Sequence, residues 1–179
     1  MTNYVYIATS LDGFIADRDG GLDWLTGVPD PEGGDFGFAE FLAAVDAIVM
    51  GRATFETVLA FGVWPYDKPV FVLSTTLHDV PADLAGRAEV VAGDPRDLVP
   101  ALRERGHENL YVDGGRTVQG FLKADLIDEL IITTVPILLG DGIPLFGTIG
   151  RTLVFKHLGI ERLTPDLTKN RYVRDRDSG

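Results

Sequence analysis

An α/β fold, with a mostly parallel central sheet flanked by helices and an antiparallel C-terminal hairpin, is predicted from three observations. Short apolar runs alternate with amphipathic stretches over the first 125 residues or so. Two of these runs end in glycine and lead straight into a helical pattern. After residue 126 the helical stretches stop while strand-like runs continue. A parallel neighbour is reached only by a crossover, usually a helix, whereas consecutive strands with no helix between them fold back as hairpins.

The elements follow in order. Residues 3–9 form a β-rich run ended by Ser10-Leu-Asp-Gly13, since Asp and Gly tolerate the backbone angles that stop a strand. Residues 16–37, with Gly20, Gly21, Gly33 and Gly34, read as a long surface loop of the kind that is usually functional. Phe38, Phe41, Leu42 and Val45 fall at i, i+3, i+4 and i+7, which predicts a helix over 36–45. Ala47-Ile-Val-Met50 is a strand, followed by Gly51 and a helix bearing Phe55, Val58 and Leu59. Pro69-Val-Phe-Val-Leu73 is a strand ending in Ser74-Thr-Thr76, and Glu89-Val-Val-Ala92 is another. Asp94 and Pro95 supply an N-cap and a first-turn proline for a helix ending near Gly106, although Pro100 counts against its length. Leu110-Tyr-Val112 ends in Asp113-Gly-Gly115 and a helix with Val118, Phe121 and Leu122. The last strands are read at 130–135, about 152–158 and about 160–173.

Length and charge bound the function. The 179 residues fit one domain, read as 1–179, and 45% hydrophobic residues suffice for a core. A net charge of −11 repels phosphate backbones and anionic lipid, so neither nucleic acid nor a membrane is the expected partner. A small-molecule substrate is, and the apolar strands of the C-terminal third are candidates for pairing across a homodimer. The absence of cysteine excludes disulfides, a thiol nucleophile and thiolate metal sites. No apolar stretch approaches the roughly 18 residues of a membrane span, and the chain enters its first strand with no basic n-region, so the cytoplasm is the expected address.

Two strand ends carry the candidate chemistry. Ligands of open α/β sheets bind beyond the carboxyl ends of the strands, where helix N-termini offer unpaired N–H groups to anions. Gly51-Arg52-Ala-Thr54 supplies close backbone approach, a guanidinium and a hydroxyl at such a point. Asp113-Gly-Gly-Arg-Thr117 repeats the design. A lone glycine between strand and helix is more often turn geometry; two in one domain strengthen the phosphate reading. The commonest dinucleotide, triphosphatase and serine hydrolase motifs are missing. His78, His107 and His157 lie far apart in sequence, and no metal site is expected.

These residues carry a family likeness. Ser-Leu-Asp-Gly13, Gly-Gly-Leu-Asp-Trp24, Val49-Met-Gly-Arg-x-Thr-Phe-Glu56, Trp64-Pro-Tyr66, Val112-Asp-Gly-Gly115, Gln119-x-Phe-Leu122 and Pro136-x-Leu-Leu-Gly-x-Gly-x-Pro-Leu-Phe146 together resemble the dihydrofolate reductase-like proteins, which include the riboflavin biosynthesis reductase domain. The likeness spans about residues 3–174 and is nearest to the small stand-alone bacterial members. It implies NADPH as cofactor, with Gly51, Arg52 and Thr54 at its phosphates. Ser74 and Thr75 would meet the adenosine side, and Gly114, Gly115, Arg116 and Thr117 the pyrophosphate. Ile15, Gly21, Leu22 and Trp24 resemble the loop that closes over the nicotinamide. Phe14 stands where the riboflavin-pathway reductases usually have a basic residue, and Thr76 where an arginine is common.

The resemblance also implies a carboxylate that serves the acceptor ring. Asp35 has the matching spacing and leads, with a helix N-cap as its structural alternative. Glu40 and Asp12 are the other candidates, the first against a solvated helix face and the second against a local turn. Trp64 and Tyr66 are expected to cover the loop they sit in. The expected function is an NADPH-dependent reductase transferring a hydride to a pterin- or pyrimidine-type heterocycle. The alternatives are a nucleotide-binding module without productive catalysis and a 5-amino-6-(5-phosphoribosylamino)uracil-type reductase.

Overall fold

Central strands that are apolar on both faces must be covered on both, and that requirement organises the molecule. The computed structural model describes residues 1–28 and 34–177. Its main sheet has eight strands in the order β5-β4-β3-β6-β1-β7-β10-β9. These are β1 (Asn3–Ser10), β3 (Ala47–Gly51), β4 (Val70–Leu73), β5 (Ala88–Val91), β6 (Leu110–Asp113), β7 (Glu129–Val135), β9 (Phe155–Arg162) and β10 (Thr168–Arg174). From β5 to β7 every neighbouring pair is parallel, while β10 runs antiparallel to both β7 and β9. The predicted architecture is the one observed.

Two helical layers cover the sheet. Helices α4 (Pro95–Glu104) and α5 (Gly115–Ala124) bring Leu98, Val99, Leu102, Val118, Phe121 and Leu122 onto Val49, Phe71 and Val112. On the opposite face, α2 (Phe38–Ala43) and α3 (Arg52–Ala60) bring Phe41, Leu42, Phe55 and Val58 onto Ile48, Met50 and Val72. Asp94 caps α4 by accepting the Arg96 N–H at 2.8 Å, and Pro100 is accommodated on its exposed side. The one-turn helix α1 (Asp23–Thr26) lies in the segment read as loop from sequence, and a short ribbon of β2 (Phe14–Ala16) and β8 (Ile143–Pro144) joins segments that the sequence left without an element. Residues 29–33 of the long glycine-rich loop, including Gly33, lie outside the described residues.

Two boundaries differ from expectation for local reasons. The helix predicted over 36–45 begins at Phe38, because Phe36 (φ 57°) and Gly37 (φ 87°) take left-handed angles that helix α2 cannot include. The C-terminal strands do not break near Gly159, which sits inside β9 opposite Arg171. They break at residues 163–167, where Thr164 Oγ1 accepts the N–H groups of Asp166 (3.2 Å) and Leu167 (3.0 Å). That turn chemistry outweighs a glycine that needs no special angle.

Candidate functional site

The carboxyl ends of the parallel strands open into a cleft of about 1670 Å³. A single small ligand takes roughly 300–1,000 Å³, so the cleft has room for two ligands side by side. One half lies over the ends of β4, β3 and β6 and the other over β1, β7 and the turn leading into β10.

The first half collects all the residues expected at a nucleotide: Gly51, Arg52, Thr54, Ser74, Thr75, Gly114, Gly115, Arg116 and Thr117. Its floor is made by two interlocked strand ends. A Cβ on Gly51 would come within 2.8 Å of Thr117 Oγ1, and a Cβ on Gly114 would overlap Thr54 Oγ1. Gly114 also has φ 86°, ψ 138°, a conformation open essentially to glycine alone. The helices that start here, α3 and α5, have no side-chain cap. Their first-turn N–H groups therefore lack a partner within the helix, and the positive ends of both helix dipoles face the cleft. Arg52 is steadied by donating to Glu56 Oε1 (2.6 Å) and Thr76 Oγ1 (3.1 Å). Ser74 Oγ accepts the N–H groups of Thr76 and Leu77 at 3.2 and 3.0 Å. The missing side chain of Gly115 is accounted for by packing, since a Cβ would stand 2.9 Å from the Pro144 carbonyl oxygen.

The second half is aromatic and acidic. Phe38 lies 5.7 Å from the Tyr6 ring and 6.2 Å from the Tyr111 ring, and all three line the cleft. The Tyr111 hydroxyl donates to the Tyr6 carbonyl at 3.0 Å. At the junction of the halves stands Asp113, the last residue of β6, whose Oδ1 accepts the Gly114 N–H at 2.8 Å. Burial pushes its carboxyl up to about 6, against the opposing effect of the bond from the Gly114 N–H. A carboxyl that titrates near neutrality can hold and release a proton in the cleft.

Sequence reasoning passed over Asp113 because Asp-Gly-Gly reads as turn chemistry. The available signal was a carboxylate ending an apolar central strand, which is the position where α/β sheets present ligand-facing groups. The three carboxylates that it favoured are placed otherwise. Asp35 reaches the cleft, but its Oδ1 accepts the Gly37 N–H (2.9 Å) and its Oδ2 the Ala39 N–H (2.7 Å). The bonds from Ala39 and Gly37 hold its carboxyl below the usual aspartate range, so it is an ionised cap of α2. Glu40 is exposed on α2 and does not line the cleft. Asp12 does not line it either. Its carboxylate accepts from Ser10 Oγ (2.6 Å), the Leu139 N–H (3.2 Å) and the Gly140 N–H (2.8 Å), tying two loops together.

The closing-loop residues divide as well. Ile15 and Leu22 line the cleft, whereas Trp24 faces a smaller cavity of about 380 Å³ beside Val28, Pro136 and Leu167. Trp64 packs edge-on against Phe55 (5.8 Å) and Tyr66 (5.4 Å), and of the two loop aromatics it is Tyr66 that lines the cleft.

The profile of the RibD C-terminal domain matches residues 4–169. The chain belongs to the RibD C-terminal domain family. Among solved structures, a protein of Shewanella sp. PV-4 superposes on this RibD C-terminal domain protein with a TM-score of 0.95 and 49% identity, over 98% of this chain and 100% of that one. A Thermotoga maritima protein named diaminohydroxyphosphoribosylaminopyrimidine deaminase/5-amino-6-(5-phosphoribosylamino)uracil reductase matches at TM-score 0.74 and 17% identity. That match covers 97% of this chain and 56% of the Thermotoga one, so the RibD-type domain described here spans just over half of it. Enterococcus faecalis dihydrofolate reductase, solved with NADP(H), matches at TM-score 0.65 and 16% identity over 97% of this chain and 96% of its own. The last two likenesses are of fold. Among the described residues, no helix is long and apolar enough to cross a membrane.

Proposed function

We propose that this protein is a cytoplasmic NADPH-dependent reductase that delivers a hydride to a small nitrogen heterocycle of pyrimidine or pterin type. The observation that carries the reading is the pair of interlocked strand ends, where two uncapped helices start side by side and the hydroxyls of Thr117 and Thr54 pack against Gly51 and Gly114. That cradle fits a dinucleotide pyrophosphate. When bound, NADPH would supply the hydride, and the protein supplies binding, orientation and electrostatics. The N–H groups at the starts of α3 and α5 would hold the phosphates, with Thr54, Arg116 and Thr117 beside them. Ser74, Thr75 and Arg52, clustered at the ends of β4 and β3, would take the adenosine side. Ile15 and Leu22 would keep water from the junction of the two halves. Asp113 would hold the proton that the reduced ring requires, on a carboxyl that burial raises to about 6.

Membership of the RibD C-terminal domain family supports a pyrimidine acceptor. A nucleotide-binding module without turnover is the second reading, favoured by the way Asp35 is consumed in capping α2. Thermal-shift titration with NADPH and NADH, followed by nicotinamide absorbance against a panel of dihydropterins and aminouracils, separates them. NADPH should raise the melting temperature, by more than NADH does, and be oxidised with at least one acceptor. A thermal shift with no oxidation on any acceptor leaves the module; no shift with either nucleotide rejects the cradle.

A further inference from the structure

We infer that the acceptor taken by this cleft carries no phosphate group, and is a neutral or proton-bearing flat ring. The inference rests on the reading above and narrows its substrate class. It departs from the phosphoribosyl compound in the Thermotoga protein's name.

A phosphate monoester brings a charge of about −1.5 to −2 and needs cations or free N–H groups to receive it. Among the described residues, the acceptor side of the cleft offers carboxylates instead, from Asp35 at the start of α2 and Asp113 at the junction. Among the described residues, two of the cations near it are committed elsewhere, and the third, Arg18, stands on the cleft wall in an exposed pair with Asp141 at 2.6 Å. Lys169, only 14% exposed, donates to the Phe36 carbonyl at 3.1 Å and pairs with Glu161 at 2.8 Å. Arg162 is turned onto the carbonyls of Thr164 (3.3 Å) and Pro165 (2.8 Å). The remaining cleft arginines, Arg52 and Arg116, belong to the nucleotide half. The net charge of −11 opposes a dianion at longer range too.

The walls describe what fits instead. Tyr6, Phe38 and Tyr111 offer ring faces and edges to a planar ligand. Asp113, between them and the nucleotide half, can accept from a ring N–H when ionised and donate when protonated. A phosphate on such a ring would lie among like charges, an arrangement that selects against it.

Matched pairs that differ only in phosphate test this: dihydroneopterin with its monophosphate, and an aminouracil riboside with its 5′-phosphate. NADPH binding is measured first and alone, by thermal shift. If it is absent, the nucleotide reading fails, and titration of the four compounds without nucleotide still reports the charge preference. With NADPH present, kcat/KM for the unphosphorylated member should exceed that of its phosphorylated partner by at least about tenfold in one pair. The ratio should shrink as salt is added, and shrink again in Asp35→Asn. Equal or better use of the phosphorylated member overturns the inference. So does failure of all four compounds to bind or react.

Discussion

The hydroxyl of Thr54, in the first turn of α3, fills the volume that a Cβ on Gly114 would need. The two residues belong to neighbouring strand ends, since Met50 pairs with Asp113 in the parallel register of β3 and β6. With φ at 86°, Gly114 is also in a conformation that costs other residues about 1–3 kcal/mol. Gly114→Ala should therefore lower the melting temperature by about 2–10 °C and weaken NADPH binding at least tenfold, because α3 must shift. Adding Thr54→Ala should recover part of the stability, by removing the clash and leaving the backbone strain. Calorimetry with and without NADPH checks both. A Gly114→Ala variant with unchanged melting temperature would sink the account.

Asp113 couples the site to pH. Its folded-state pKa of about 6 lies above the usual aspartate value of 3.8, so the folded protein holds this proton more tightly than the unfolded chain. Its contribution to stability is accordingly full at low pH, declines as pH rises from about 4 to about 6, and then levels off. The shift sets an upper bound of about 3 kcal/mol on the penalty. Asp113→Asn keeps an acceptor for the Gly114 N–H and removes the titration. It should be more stable than the parent above pH ~6 and converge with it below pH ~4. If Asp113 delivers the proton, the same variant loses about 10² to 10⁴ in kcat and the fall of parent activity above its pKa disappears. Melting curves and rates across pH read the two effects separately.

What the sequence disclosed was the part governed by local pattern. Apolar runs ending at Gly51 and Asp113-Gly114 marked the strands, the crossovers and the strand ends that line one half of the cleft, because a glycine between an apolar run and a helical pattern is a local signal. Asp35 shows the limit. Its spacing suited both a cap and a relay, and only the placement of the Gly37 and Ala39 N–H groups decides for the cap. The pairing of β2 with β8 joins residues more than 120 positions apart and has no local signature. Asp113 was hidden for a similar reason: its raised pKa comes from burial among strands brought together by topology.

Asp35 should therefore behave as a cap. Asp35→Ala removes acceptors from two backbone N–H groups and should cost about 0.5–2 kcal/mol, the usual range for a lost N-cap. The carboxyl is held below its ordinary range, so its stabilising contribution is present above about pH 4 and is lost as pH falls through its folded-state pKa. The stability difference between parent and variant should close at low pH. Turnover should stay within about threefold; a loss near the 10² expected for a proton relay would return Asp35 to the chemistry.

A half-buried ion pair ties β10 to β7 at the antiparallel end of the sheet. Glu129 on β7 is only 6% exposed, and Arg171 on β10 approaches it with two nitrogens, Nε on Oε1 and Nη2 on Oε2, the latter at 3.1 Å. Stripping the partner from a fully buried carboxylate costs about 3–5 kcal/mol. The Arg171 side chain is 56% exposed, so water can replace part of what it provides, and Arg171→Ala should cost about 1–3 kcal/mol. Lysine cannot reproduce the two-pronged contact, so Arg171→Lys should recover only part of the loss. Glu129→Gln combined with Arg171→Ala should be less damaging than Arg171→Ala alone, because the uncompensated charge is gone. Urea denaturation of the parent, both single variants and the double variant measures the coupling. NADPH affinity should be unchanged throughout, since neither residue lines the cleft. If Arg171→Ala changes stability by less than about 0.5 kcal/mol, the pair is a surface contact and β10 is held by its strand pairing and by Tyr172 packing against the core.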